Sequence, residues 1–339
     1  MRRILALLLA GLWLAAAGPC PMGPGVPCPS VRQVTIPLTT ALPSGWPFAR
    51  AGNTATTLVN GVVTPVNANI PRFPTDVNGT PLEYLNEPAA TNIYLNSQAP
   101  ATQTITVTAQ AYTLSFYGTG TIALSGTYTG TLVGTGAGDL VQLTFTPTAG
   151  ALVATLTGTV TNVQVEAGSF ATSRIITAGS PVTRNADNLT VPLSLYPWWQ
   201  TPRGEALGID FVSSGVPQTN LFVFKLYKDE NNYLQALLHT TNTLTVMYKV
   251  AGVSVTSSTF NLAAIGAKNT LGLIVSASGV AIGLNGVAQT PIANAGTPFV
   301  APTLYLGQNG GNTGVSAIHI PSVTLRGPSS AAWLQGGNY

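Results

Sequence analysis

The chain has 339 residues, of which 7% are Asp, Glu, Lys or Arg and 45% are hydrophobic, with a formal net charge of +3. Disordered chains pair low hydrophobicity with high charge, so disorder is excluded. Polarity comes instead from Thr, Asn, Ser, Gln and Gly, which suit strands and turns. No run of Lys and Arg supplies the electrostatic footprint of nucleic-acid binding, so nucleic acid is not an expected partner.

The first residues carry the parts of a secretory signal. Arg2 and Arg3 precede an apolar run from Ile4 to Ala17 that ends in small residues. The run is shorter than the roughly 20 residues a membrane span needs. Residues 1–18 are therefore expected to be an apolar leader, either cleaved as a signal or retained as an anchor. Residues 19–47, dense in Pro and Gly, read as a linker with no capacity to bury a core. The two cysteines, Cys20 and Cys28, fall in this stretch; a local disulfide, an intersubunit bridge and free thiols all remain open. Two such ligands with no histidine near in sequence do not make a zinc site. No metal or cofactor is expected.

From Phe48 onward short alternating segments are separated by turns. Thr57-Leu58-Val59 and Val62-Val63-Thr64 flank Asn60-Gly61, a strong short hairpin signal. Asn78-Gly79 marks another turn. Thr102 to Thr108 alternates, and Tyr112, Leu114 and Phe116 share one face of the next strand. The Thr/Gly-rich segment from Gly118 to Gly158 keeps its alternation, and Asn162 to Glu166 is the exit strand. Residues 48–180 are expected to form a jelly-roll-like β-sandwich.

Residues 181–339 read as a second sandwich. Leu221 to Tyr227, Tyr233 to His239, Leu244 to Val250 and Val253 to Phe260 are strands around a charged turn at Lys228 to Asn232. Leu271 to Val275, Val280 to Leu284 with the turn Asn285-Gly286, Leu304 to Gly307 and Ile318 to Leu325 follow. The fold class is thus all-β, two tandem antiparallel sandwiches behind the leader and the linker.

Two sets of motifs add resemblances. Phe48-Ala49-Arg50-Ala51, Thr54-Ala55-Thr56, Pro71-Arg72-Phe73, Asn78-Gly79 and Leu85 to Asn92 are followed downstream by Val163 to Ser173 and then Val182 to Asp187. In this order they resemble a module of phage fibre- and spike-type virion proteins, over well under half of the chain. Asp229 to Tyr233, Leu284-Asn285-Gly286, Leu304 to Gly307 and a last strand ending at Arg326 resemble the concanavalin A-like, laminin-G-like sandwich. The first resemblance implies a structural part of a particle: a head or tail fibre, spike or decoration subunit. It also implies an N-terminal segment contacting other virion proteins, a homo-oligomer with a trimer favoured, and a surface for host glycans. The expected location is the virion. A secreted or cell-surface bacterial lectin or adhesin is the alternative, and a glycoside hydrolase the second.

No catalytic constellation is expected. Glycoside hydrolysis usually needs two facing carboxylates, whereas Asp229 and Glu230 are consecutive and would point to opposite faces of a strand. His239 continues the face of Tyr233, Gln235 and Leu237 as a structural histidine, and no nucleophile elbow occurs. For carbohydrate, the densest aromatic patch is Tyr196-Pro197-Trp198-Trp199-Gln200. Read as a strand, it turns Trp198 and Trp199 to opposite sides, so at most one packs in the core and the other meets a neighbouring chain, meets a sugar or stays exposed. Asn309 and Asn312, in Asn309-Gly310-Gly311-Asn312-Thr313, form a second candidate loop, with a plain turn as the alternative.

Overall fold

A computed structural model describes residues 32–199, 204–217, 220–293, 299–309, 316–327, 329 and 331–335. The leader, Cys20, Cys28 and Asn312 lie outside the described residues. The protein is all-β: among the described residues there are twenty-six strands and two short 3-10 turns, Leu193–Leu195 and Ala331–Gln335.

The expected hairpin is present. Ala55–Val59 pairs antiparallel with Val62–Val66 around Asn60 and Gly61, at φ of 52° and 76°. Both values lie in the left-handed region that Asn and Gly tolerate. Asn285 and Gly286 do the same, at 52° and 77°, between Gly279–Leu284 and Val287–Ala293.

The smaller sandwich packs a four-stranded sheet (Gln103–Val107, Thr121–Gly126, Gly130–Val133, Gly150–Thr157) on a three-stranded one (Tyr112–Gly118, Gly136–Phe145, Val160–Ala167). Its core holds Ile105, Val107, Tyr112, Leu114, Phe116, Ile122, Leu152, Val163 and Val165. Alternation explains one face of each strand. The central strand Tyr112–Gly118 is buried on both faces. Its second face carries Thr113 and Ser115, which meet Gly168 O and the Arg174 guanidinium instead of water.

The larger sandwich packs a seven-stranded sheet, including Glu205–Ser213, Lys268–Ser276, Gly279–Leu284 and Ile318–Arg326, on an eight-stranded one. The latter includes Asn188–Pro192, Leu221–Asp229, Asn232–Leu238, Thr243–Val250 and Thr303–Leu306. Alternate residues such as Leu207, Ile209 and Phe211 face Phe224, Leu226, Leu234, Val246 and Leu304 across one core.

The boundaries need correction. Gln33–Pro37, inside the expected linker, is an antiparallel edge strand on Ile318–Arg326, and Ile36, Leu38 and Trp46 are buried in the larger core. Three apolar anchors outweigh the Pro content that suggested a free strap. Phe48–Ala49 pairs with Asn188–Pro192, and Tyr84–Asn86 pairs with Ile318–Arg326. The larger sandwich therefore takes strands from before the smaller one, which sits between them in the chain.

Candidate functional site

The motif residues singled out in the sequence converge on one buried ion network where the two sandwiches meet. Arg50 Nη1 donates to Asp187 Oδ1 at 3.0 Å, and Arg72 bridges the two acids, reaching Glu87 Oε2 at 2.6 Å and Asp187 Oδ2. Arg184 also pairs with Glu87. Ser173 closes the set, donating from its backbone N to Glu87 Oε1 at 2.7 Å and from Oγ to Oε2 at 2.6 Å. Arg50 further donates to the Asn67 and Ile70 carbonyls at 2.9 Å, fixing the loop that precedes Arg72.

Burial pushes the Glu87 carboxyl up, but Arg184, Arg72 and the Ser173 hydrogen bonds outweigh it and hold the group well below the usual carboxylate range. Burial likewise disfavours the Arg72 cation, and Asp187 and Glu87 more than restore it. Glu166 differs. Burial dominates and raises its carboxyl, although it accepts from Thr172 N and Thr172 Oγ1 at 2.7 Å and Gln164 Nε2 at 2.6 Å. Each carboxylate here is saturated with donors, so the network serves as a joint. A cleft of about 230 Å³ opens beside it, lined by Leu58, Val63, Leu82, Tyr117 and His319 and by Glu87, Ser173 and Arg174.

The tryptophan patch is not a strand. Tyr196 to Trp199 follow the 3-10 turn Leu193–Leu195 as a further turn, closed by Trp199 N donating to Tyr196 O at 2.8 Å. Strand alternation therefore does not apply. Trp199 is 2% exposed and donates Nε1–H to Ala206 O at 2.9 Å, so it is a core residue with no ring face for a sugar. Trp198 is half-buried, edge-on to Tyr196, with the Arg32 guanidinium 5.0 Å above its ring. Asn309 is half-buried.

The acids are dispersed. Asp229 caps its turn, accepting from Asn231 N and Asn232 Nδ2 at 2.9 Å, and Glu230 accepts from Tyr227 Oη at 3.0 Å. Asp210 lies in the other sheet, bonded to Thr270 Oγ1 at 2.7 Å and Lys268 Nζ at 3.2 Å. His239 and Thr245 share a hydrogen bond of 2.8 Å. Among the described residues no group of three or more His, Cys, Asp or Glu could hold a metal.

A different surface combines aromatic rings with polar groups. On the outer face of the eight-stranded sheet, register places Tyr227, Tyr233 and Lys249 in one row across three strands. Tyr305, Lys225, Gln235 and Met247 form the adjacent row. Their neighbours Phe224, Leu226, Leu234 and Ala236 point into the core, so these side chains must point out. Lys225 and Gln235 are 7% and 6% exposed and form a floor; Tyr227, Tyr233 and Tyr305 stand half-buried around them. Lys225 Nζ lies 4.6 Å from the Tyr227 ring and 4.7 Å from the Tyr233 ring, and the Tyr227 and Tyr305 rings are 6.1 Å apart. Gln235 Nε2 and Tyr233 Oη donate only weakly, to Met247 Sδ at 3.7 Å. The face of Tyr233, Gln235 and Leu237 is visible in the sequence as an alternation, but its continuation through Tyr227 and Tyr305 is not. Tyr227 joins through the local hairpin that pairs it with Tyr233, whereas Tyr305 joins only because residues 303–306 pair with 221–229 from far along the chain.

The two large facing sheets define the protein as a β-sandwich. No protein-family model and no curated protein matches the chain. Among solved structures it is similar to domain 4 of an extracellular arabinanase from Geobacillus stearothermophilus, in complex with arabinotriose. That likeness has 12% identity over 51% of this chain and 81% of that one, with a TM-score of 0.37. The Trypanosoma rangeli sialidase in complex with 2,3-difluorosialic acid is similar at 10% identity over 44% of this chain, with a TM-score of 0.35; the match spans a quarter, 25%, of the sialidase. A botulinum neurotoxin type C, whose cell entry depends on two ganglioside molecules, matches at 9% identity over 51% of this chain and 42% of its own, TM-score 0.35. These neighbours act on or contact glycans; at such scores the likeness carries no argument about what this chain binds.

Proposed function

We propose that this chain is a non-enzymatic structural component of a phage virion, a head or tail fibre, spike or decoration subunit, that binds host-surface carbohydrate. The observation that carries the binding half is the Tyr227, Tyr233 and Tyr305 face around Lys225 and Gln235. Sugars offer apolar ring faces to aromatics and hydroxyls to amides and amines, and a ligand site combines an apolar wall with a few convergent polar groups. The virion half is supported by the motif module, whose Arg50, Arg72, Glu87, Ser173, Arg184 and Asp187 build the joint between the sandwiches. Against hydrolysis stand Glu87 and Asp187, neutralised by arginines, and Asp229 and Glu230, spent on a turn.

Two experiments test it. Mass spectrometry of purified particles should find the chain, and long incubation with host polysaccharide should leave the polymer's size profile unchanged. A chain found only in culture medium, with its leader removed, favours the secreted lectin or adhesin reading. A fall in polymer mass revives the hydrolase.

The subunit is also proposed to assemble as a homo-oligomer, a trimer if it is a fibre. Val59, Val62 and Val77, 41%, 64% and 66% exposed, cluster at the Asn60-Gly61 hairpin, which supports a contact there rather than at Trp199. Attachment to other virion proteins is assigned to residues ahead of Arg32, because Gln33–Pro37 is committed to the sheet.

A further inference from the structure

We infer that the tyrosine face selects a glycan bearing an anionic group, with Lys225 as the residue that reads the charge; this rests on the proposed carbohydrate binding and adds its chemical class. Lys225 is 7% exposed, yet it enters no ion pair and donates no hydrogen bond among the described residues. Its ammonium, which carries three N–H donors, contacts only the π-faces of Tyr227 and Tyr233. Ring faces attract a cation but accept none of its hydrogen bonds in full. An amine so held has donors left for a ligand.

The surrounding charge sets which ligand. Lys249 Nζ lies 5.5 Å from the same Tyr233 ring, so two cations flank one aromatic platform. Glu230, the acid nearest this face, is engaged at its end with the Tyr227 hydroxyl. A neutral hydroxyl does not cancel that carboxylate, which attracts Lys225; one acid against Lys225 and Lys249 still leaves the face net positive. Burial pushes the Lys225 amine below its ordinary range, which is the cost an anion would relieve. A carboxylate on a sugar ring stacked against Tyr233 would accept charge-assisted bonds from Lys225, and Gln235 would then serve a neighbouring hydroxyl.

The alternative tenants fit less well. A neutral glycan would leave Lys225 and Lys249 with Glu230 as their shared counter-charge. A sulfated glycan offers the same charge to Lys225 through a different group, and the experiment separates the two.

The test uses the full chain and a panel of oligogalacturonate, hyaluronan and polysialic acid oligosaccharides, each beside its carboxyl-reduced neutral form, with keratan sulfate, which has sulfate and no uronate, alongside. Calorimetry should show at least one carboxylated member bound about tenfold or more tighter than its reduced form, the scale of one hydrogen bond to a charged group. Lys225→Met keeps the aliphatic stem and should bring the two affinities together while circular dichroism and melting temperature stay unchanged. Keratan sulfate bound tightly while the carboxylated panel is ignored would move the assignment from carboxylate to sulfate. Equal affinity for acidic and reduced forms, or an intact preference in Lys225→Met, would overturn the inference and leave glycan binding standing. Failure to bind any glycan, neutral or acidic, would overturn both.

Discussion

Arg50 Nη1 lies 3.0 Å from Asp187 Oδ1 with both side chains fully sealed from solvent, although the two residues are 137 positions apart in the chain. The same aspartate receives Arg72 and the backbone N–H of Glu87, at 2.9 Å in the latter case. One carboxylate thus ties together the start of the motif module, its middle and its end. Buried pairs add little net stability when complete, because desolvating each ion offsets their attraction. Their consequence is conditional: removing one member leaves buried charge that the remaining members do not balance.

Asp187→Ala should therefore be severe. It leaves Arg50 with backbone carbonyls alone and Arg72 with Glu87 as its one remaining acid, so the interior carries excess positive charge, and the expected loss is about 3–5 kcal/mol in chemical denaturation. A loss below about 1 kcal/mol would show that the network is solvated in solution.

The network also predicts acid sensitivity. Glu87 is held below its ordinary range in the folded protein, so its stabilisation is full above the unfolded carboxyl value of about 4.3 and declines as pH falls from there. Glu166 is raised by burial and has the opposite sign: its contribution is present below the unfolded value and is lost as pH rises through the folded one. Melting temperature should fall on acidification below about pH 5, and Glu87→Gln should flatten that limb while Glu166→Gln retains it. An acid limb unaltered by Glu87→Gln would remove Glu87 as its source.

Truncation separates the leader from the fold. A chain beginning at Arg32 should melt within a few degrees of the full protein. One beginning at Phe48 loses the edge strand Gln33–Pro37 and the buried Ile36, Leu38 and Trp46. At about 1.5–3 kcal/mol for each buried side chain, this loss is comparable with the whole stability of many domains. Equal melting of the two truncations would disprove the edge-strand assignment.

Much of this architecture was legible because it is written locally. Asn60-Gly61 and Asn285-Gly286 specify their hairpins through residues that tolerate positive φ, and Tyr112, Leu114 and Phe116 declare their face by alternation. The strand Gln33–Pro37 was not legible. Its flanking prolines mask a short alternation, and its partner lies at the far end of the chain. The motif residues were visible as a pattern but not as an ion network, since charge pairing over more than a hundred residues has no local signature. Trp198 and Trp199 misled because adjacent aromatics resemble a strand, whereas Leu193–Leu195 starts a turn that buries one ring and caps the other.

Assembly is tested at the hairpin. Val62 is 64% exposed at the tip of Val62–Val66, so Val62→Asp should leave the monomer folded while lowering the mass measured by light scattering to one third if the protein is a trimer. A wild-type protein that is monomeric at all working concentrations would defeat the oligomer proposal.

Carbohydrate binding is proposed for the outer face of the eight-stranded sheet. Its most direct measurement is the affinity of purified host-surface polysaccharide for the wild type and for Tyr233→Ala. Tyr233 is half-buried and stands beside Lys225, so its loss removes a wall of the face without opening the core. The wild type should bind saturably, and Tyr233→Ala should lose at least tenfold in affinity at unchanged melting temperature. Undiminished binding by Tyr233→Ala would place the glycan elsewhere on the molecule and rule out this face as its site.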